Sequence, residues 1–193
     1  MHNFKVIFKL TILTVLFLGM IVYMTATPPV KIDTTNDKIN MDYMPKTVKL
    51  LDDKNQYDIK TIIKNNSIII VTNHDSIAPI SKLDKHIKNF VIVANISTAP
   101  WFIKEWVIPD KLLKLKGESK IAWIYDTDGI IKNFLKIKSS KAVFYEVFKM
   151  KNNQITKLFD GDVKSGALDG SMSDDEIKKI NLEIVTKINN LKG

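Results

Sequence analysis

Few residues in this 193-residue chain are equipped for chemistry. His74 and Asp75 are adjacent in "TNHDSIAPISKLDKHI" (72–87), at an open position suited to a general base or a metal ligand. No third ligand follows at a spacing that metals use, so capping of the loop competes with that chemistry. Of the other histidines, His2 lies near the N-terminus, and His86 is expected on a helix, facing solvent. Asp126, Asp128 and Gly129 have the opening of a calcium loop but lack the rest of an EF-hand, including its closing glutamate. They read as a hairpin turn. Asp160, Asp162, Asp169, Asp174 and Asp175 read as a solvated acidic stretch running into a helix start. Seven glycines are too few for a phosphate loop, and nothing in the sequence fixes a Ser-His-Asp arrangement. No metal and no cofactor is expected.

The chain contains no cysteine. Structural disulfides, thiol catalysis and thiolate metal sites are therefore excluded together. The formal charge is +8, and all 29 basic residues are lysines. They are dispersed and interrupted by Asp and Glu. Without arginine there are no bidentate forks for phosphate or guanine, so no nucleic-acid partner is expected. One other cluster stands out. Trp101, Phe102, Ile103, Trp106 and Val107 crowd a short segment after an apolar run; such clusters usually pack into a core, but two tryptophans can also anchor a partner.

The elements that must position these residues follow from periodicity. Residues 10–27, "LTILTVLFLGMIVYMTAT", are almost continuously apolar, long enough to span a bilayer as a helix, and end at Pro28-Pro29. Lys5 and Lys9 precede them, which places a cytoplasmic tail at 1–9 and the body outside. An uncleaved anchor is favoured over a signal peptide, because Met24 spoils the small-x-small cleavage pattern before Ala26. Residues 28–43 are polar without period and read as a tether.

From 44 onward a strand around Val48–Leu51, a polar turn at 52–55 and a short segment at 57–63 precede the apolar run Ile68–Val71, a strand buried on both faces. Ile77, Ile80, Leu83 and Ile87 then mark one face of a helix, with Asp75 or Ser76 as its cap and Pro79 tolerated in its first turn. "NFVIVANI" (89–96) is a second buried strand, followed by helices at Pro100 and Pro109. Two hairpins are expected, one turning at Asp126–Gly129 and one at Asn152-Asn153. Ser173 and Glu176 form a capping box for a last helix whose stripe is Ile177, Ile180, Ile184, Ile188 and Leu191. The order implies an α/β fold: a mixed sheet with a parallel β–α–β core, late antiparallel strands and helices on both sides.

This order resembles the thioredoxin-like superfamily, within it the redoxin branch of alkyl hydroperoxide reductases (AhpC/TSA) and membrane-anchored periplasmic thioredoxins of the TlpA type. The strings that carry the resemblance are "MPKTVKLLDDKNQYDIKTIIKNNSIIIV", "IYDTDGIIKNFLKI" and "AVFYEVFKMKNNQITKLFDG", within a domain over 44–193. Where the family bears Trp-Cys-x-Pro-Cys this chain has Ser76-Ile77-Ala78-Pro79-Ile80, with Ile77 and Ile80 at the cysteine positions and Pro79 kept. Where the family has a cis-proline facing that motif, the string is Ser139-Ser140-Lys141. A thiolate at a helix N-terminus is stabilised there; isoleucine can neither ionise nor close a disulfide. The resemblance thus implies a redoxin scaffold without redox activity, held in a bacterial inner membrane through 10–27 with its domain in the periplasm. It would act as a binding, adaptor or assembly module for an envelope protein, through an apolar groove at Ile77, Ala78, Pro79 and Ile80 or through Trp101, Phe102 and Trp106. The alternative is an enzyme with non-thiol, metal-assisted chemistry around His74 and Asp75.

Overall fold

The computed structural model describes residues 11–17 and 38–191, and the chain divides into two units, 1–31 and 32–193. In the first unit, residues 11–17 are helical (α1). The rest of the predicted 10–27 span, the 1–9 tail and most of the tether lie outside the described residues. Among the described residues, no helix is long and apolar enough to cross a membrane.

The second unit is a mixed α/β structure around one eight-stranded sheet. Its strands are β1 (Lys38–Asn40), β2 (Thr47–Leu50), β3 (Asp53–Asp58), β4 (Ile68–Thr72), β5 (Phe90–Asn95), β6 (Trp123–Asp126), β7 (Phe144–Lys151) and β8 (Gln154–Asp162). They lie in the order β1-β8-β7-β4-β5-β6-β2-β3. β4, β5 and β6 are parallel, and the remaining neighbours pair antiparallel. The helices are α2 (Ile59–Ile62), α3 (Ile77–Ile80), α4 (Trp101–Trp106), α5 (Ile108–Lys116), α6 (Ile130–Phe134) and α7 (Asp174–Asn190).

Alternation along the central strands builds a core on each face. Ile68, Ile70, Phe90, Ile92 and Trp123 point to the side covered by α3, α5 and α7, where Ile80, Leu112 and Ile184 meet them. Ile69, Val71, Val91, Val93 and Ile124 point to the other side, under Ile59 of α2 and Ile131 of α6. The runs that read as doubly buried strands are buried throughout, in β4 and in β5.

Five expectations are corrected. Residues 38–43 are not tether: Lys38–Asn40 pairs with β8, and Met41 is buried under the sheet. The polar turn expected at 52–55 ends at Asp52, because β3 already begins at Asp53, and the short segment at 57–63 is the end of β3 followed by α2. The helix expected over 77–87 is one four-residue α turn followed by a 3-10 turn at Leu83–Lys85. All four apolar residues of its stripe are nevertheless buried, and spacings of three suit three residues per turn. Finally, the strand expected to return after Asp126–Gly129 is α6 instead. The Asp126 carboxylate accepts the backbone N–H groups of Ile131 and Lys132 at 3.3 and 3.0 Å, and Gly129 takes the left-handed conformation, φ 70°. That satisfies orphan donors of a helix start, which a strand would not have.

Candidate functional site

The parallel strands β4 and β5 end at one edge of the sheet, where residues 73–80, the loop 139–143 and α4 converge. Crevices at the carboxyl ends of parallel strands are where α/β proteins place ligand chemistry. Buried amides tie these segments together. Asn73 Nδ2 donates to the Lys141 carbonyl at 2.8 Å, Asn95 Nδ2 donates to Asn73 Oδ1 at 2.6 Å, and Asn95 Oδ1 accepts the Ser97 N–H at 3.2 Å. Backbone bonds run alongside, from Asn73 N–H to the Phe144 carbonyl (3.1 Å) and from Asp75 N–H to the Ala142 carbonyl (2.8 Å). The Ser139-Ser140-Lys141 loop therefore does face the turn that carries Ile77 and Ile80.

That turn is closed. Ile77, Ala78 and Ile80 are 1, 6 and 0 % exposed, and Pro79 is buried with them. The two isoleucines join the core cluster formed with Ile70, Leu83 and Ile184, so the expected apolar groove at these positions does not exist. The cause is elementary: burying a full isoleucine side chain is worth about 1.5–3 kcal/mol, and two of them draw the helix start onto the sheet. Neither Asp75 nor Ser76 caps α3. The Ser76 hydroxyl lies within donating distance of the Asn73 and Phe144 carbonyls (2.9 and 2.7 Å), locking the turn instead.

His74 Nδ1 stands 3.2 Å from Asp75 Oδ1, with the imidazole exposed and the carboxylate buried. Asp75 Oδ2 accepts the Gly166 N–H at 3.0 Å, which fixes the carboxylate and ties the β8–α7 connection to the site. This is the geometry of an oriented base, and equally of a loop latch. Among the described residues, no three His, Asp or Glu side chains gather as metal ligands would. His86 is exposed on the 3-10 turn's far end, away from any such group.

The aromatic cluster lies outside the core. Trp101 is 68 % exposed, Trp106 72 % and Phe102 44 %, with Val107 beside them at 53 %. Trp101 packs edge-on against both Trp106 (5.9 Å between ring centroids) and Phe102 (6.1 Å). α4 itself is held firmly. Ile103 packs on the core, Lys104 Nζ donates to the Thr127 carbonyl at 2.7 Å, and the Tyr125 hydroxyl donates to the Lys104 carbonyl at 2.6 Å. The helix thus presents its rings to solvent from a fixed base.

Sequence reasoning passed over two groups here. Lys132 on α6 is buried, and its ammonium donates to Ser140 Oγ at 2.9 Å. Eight positions separate them, one on a presumed strand, so no local pattern could have linked the two. Asp126, read as a turn residue, is a buried carboxylate whose pKa burial pushes up, with the α6 amides pulling it back.

In comparisons with known proteins, the chain matches no family model and no curated protein.

Proposed function

We propose that this chain is a membrane-tethered, thioredoxin-like domain without thiol chemistry that works by binding an envelope protein through α4. In this reading residues 10–27 anchor it in a bacterial inner membrane and the sheet domain lies in the periplasm. The observation that carries the binding role is the exposed triad Trp101, Phe102 and Trp106 on a helix pinned to the sheet. Exposed clustered aromatics lose solvent contact at little entropic cost and supply most hot-spot energy in protein interfaces. The thioredoxin-like reading is supported by Pro79 in the first turn after the central strand β4, opposite the loop that precedes the antiparallel pair β7–β8. The buried isoleucines and the lack of cysteine remove the redox reaction from that scaffold.

The test is photo-crosslinking in the native membrane from a photoreactive residue at Trp106, with a control at exposed Lys178 on α7. A discrete adduct from position 106 that Trp101→Ala abolishes is expected, with none from 178. Equal or absent crosslinking at both positions would refute the reading.

A second reading rests on the His74–Asp75 contact: an oriented imidazole at the strand edge, acting as a general base. It requires that His74→Ala remove an activity or a phenotype while the thermal melt stays unchanged. A silent substitution ends it.

A further inference from the structure

Lys132 is 6 % exposed, yet the partner of its ammonium is a hydroxyl, Ser140 Oγ at 2.9 Å. Among the described residues it joins no salt bridge. An ammonium carries three N–H donors and no lone pair. With most of the side chain buried and a single hydroxyl as its hydrogen-bond partner, the ammonium is less well solvated than in water, whereas the neutral amine turns a lone pair toward that hydroxyl. Burial accordingly draws the Lys132 pKa down, with the negative charge of Asp126 opposing. Ser140 lies on the other side of the balance: it is exposed and borders an open depression of about 580 Å³ lined also by Ser139, Phe144, Asp160 and Asp162.

We propose that Ser140 and Lys132 are a nucleophile and general base for acyl transfer from small carboxylic esters, which reach Ser140 from this depression. Serine–lysine pairs are an established variant of the activated hydroxyl. In the first step the Ser140 O–H proton passes to Lys132 Nζ as Oγ bonds to the ester carbonyl carbon. The carbon–alkoxy bond then breaks, and the departing alkoxide takes the proton from the Lys132 ammonium and leaves as an alcohol. Water next attacks the acyl-serine, giving a proton to Lys132. The carbon–Oγ bond breaks, Ser140 recovers its proton, and a carboxylic acid departs. Ester and water become acid and alcohol, with no other reactant. Asp126 is a positioning residue: its carboxylate holds the first turn of α6, from which Lys132 reaches Ser140. The other charges around the pair are Lys138 and Lys141 on the loop and Asp160 and Asp162 on β8, of which Lys141 and Asp162 pair at 3.2 Å.

The pair needs no bound partner, so its test is independent of the binding role proposed above. The full chain in detergent is treated with diisopropyl fluorophosphate between about pH 6 and about pH 10, the range below an ordinary lysine pKa, and the adduct is located by peptide mass. Labelling is expected at Ser140 and not at Ser139, at a rate that climbs with pH as Lys132 loses its proton. Lys132→Met should slow it by about 100-fold or more, the usual share of a general base, with an unchanged far-UV spectrum. Hydrolysis of p-nitrophenyl acetate should fall in parallel in Lys132→Met and in Ser140→Ala. No adduct at Ser140 in the native chain, or a rate there that does not change with pH, overturns the proposal whatever the variants do. So does equal labelling in folded Lys132→Met.

Discussion

Ile80 is fully buried against the sheet, and its truncation is the simplest probe of what the cysteine-free turn does. Ile80→Ala is expected to cost about 2–5 kcal/mol in urea unfolding, because the site is a packed core and not an open end. A loss under about 1 kcal/mol, typical of surface positions, would mean the turn is exposed. Lys132 gives a pH-dependent counterpart. Its folded pKa is lowered by burial, so between that value and the ordinary lysine range the unfolded chain binds more protons than the native one. Stability from this group therefore rises as pH rises through that window. Lys132→Met is expected to raise the melting temperature at neutral pH, with the gain shrinking toward about pH 10 as the native lysine is relieved of its charge. A gain constant with pH would contradict it. Gly161 is fixed by contact: a Cβ there would stand 2.6 Å from the buried Tyr145 hydroxyl, whose pKa burial has pushed up to about 12. That fit explains the glycine closing the last strand, which composition alone leaves unexplained.

At the scale of elements, α7 begins with the reciprocal bonds that Ser173 and Glu176 announce: the Glu176 N–H donates to Ser173 Oγ at 3.3 Å and the Ser173 N–H to Glu176 Oε2 at 2.8 Å. Ser173→Ala should cost about 1 kcal/mol by thermal or urea unfolding, and Ser171→Ala, two residues earlier and outside the box, serves as the comparison. Elements of this kind were readable because their signals are local. The β7–β8 turn shows the same: Asn152 and Asn153 take φ 51° and 61°, the left-handed pair that a two-residue hairpin requires. The missed elements depend on distant partners. β1 is three residues that become a strand by pairing with the edge of β8, with Asn153 of the distant hairpin turn donating to Asn40 Oδ1. α6 is a helix because Asp126 is there to receive its first amides. The α7 stripe was legible in part: Ile184 and Ile188 are buried, but Leu191 at the helix end is 49 % exposed, past the sheet's cover.

At the scale of the sheet unit, the β–α–β run from β4 through α3 to β5 and the β7–β8 hairpin could be read from apolar runs and spacings, and the mixed sheet with helices on both faces agrees with them, although β1, α2 and α6 could not. The site was less legible, since burial of Ile77 and exposure of Trp101 are decided by which face of a neighbour is already covered. Apolar character alone leaves open whether Ile77 lines a groove or the core, and whether Trp101 packs inward or meets a partner. Residues 38–43 belong to the domain, so a chain starting at 44 should unfold several kcal/mol earlier than one starting at 32, having lost an edge strand and the buried Met41. The rings on α4 contribute little to that stability: Trp101→Ala and Trp106→Ala should shift unfolding by less than about 1 kcal/mol. In the proposed binding role they act outward. Crosslinking from position 106 in the intact membrane tests this most directly. The account expects one discrete adduct that vanishes with Trp101→Ala in a stably folded chain; an adduct indifferent to that substitution, or none at all, would contradict it.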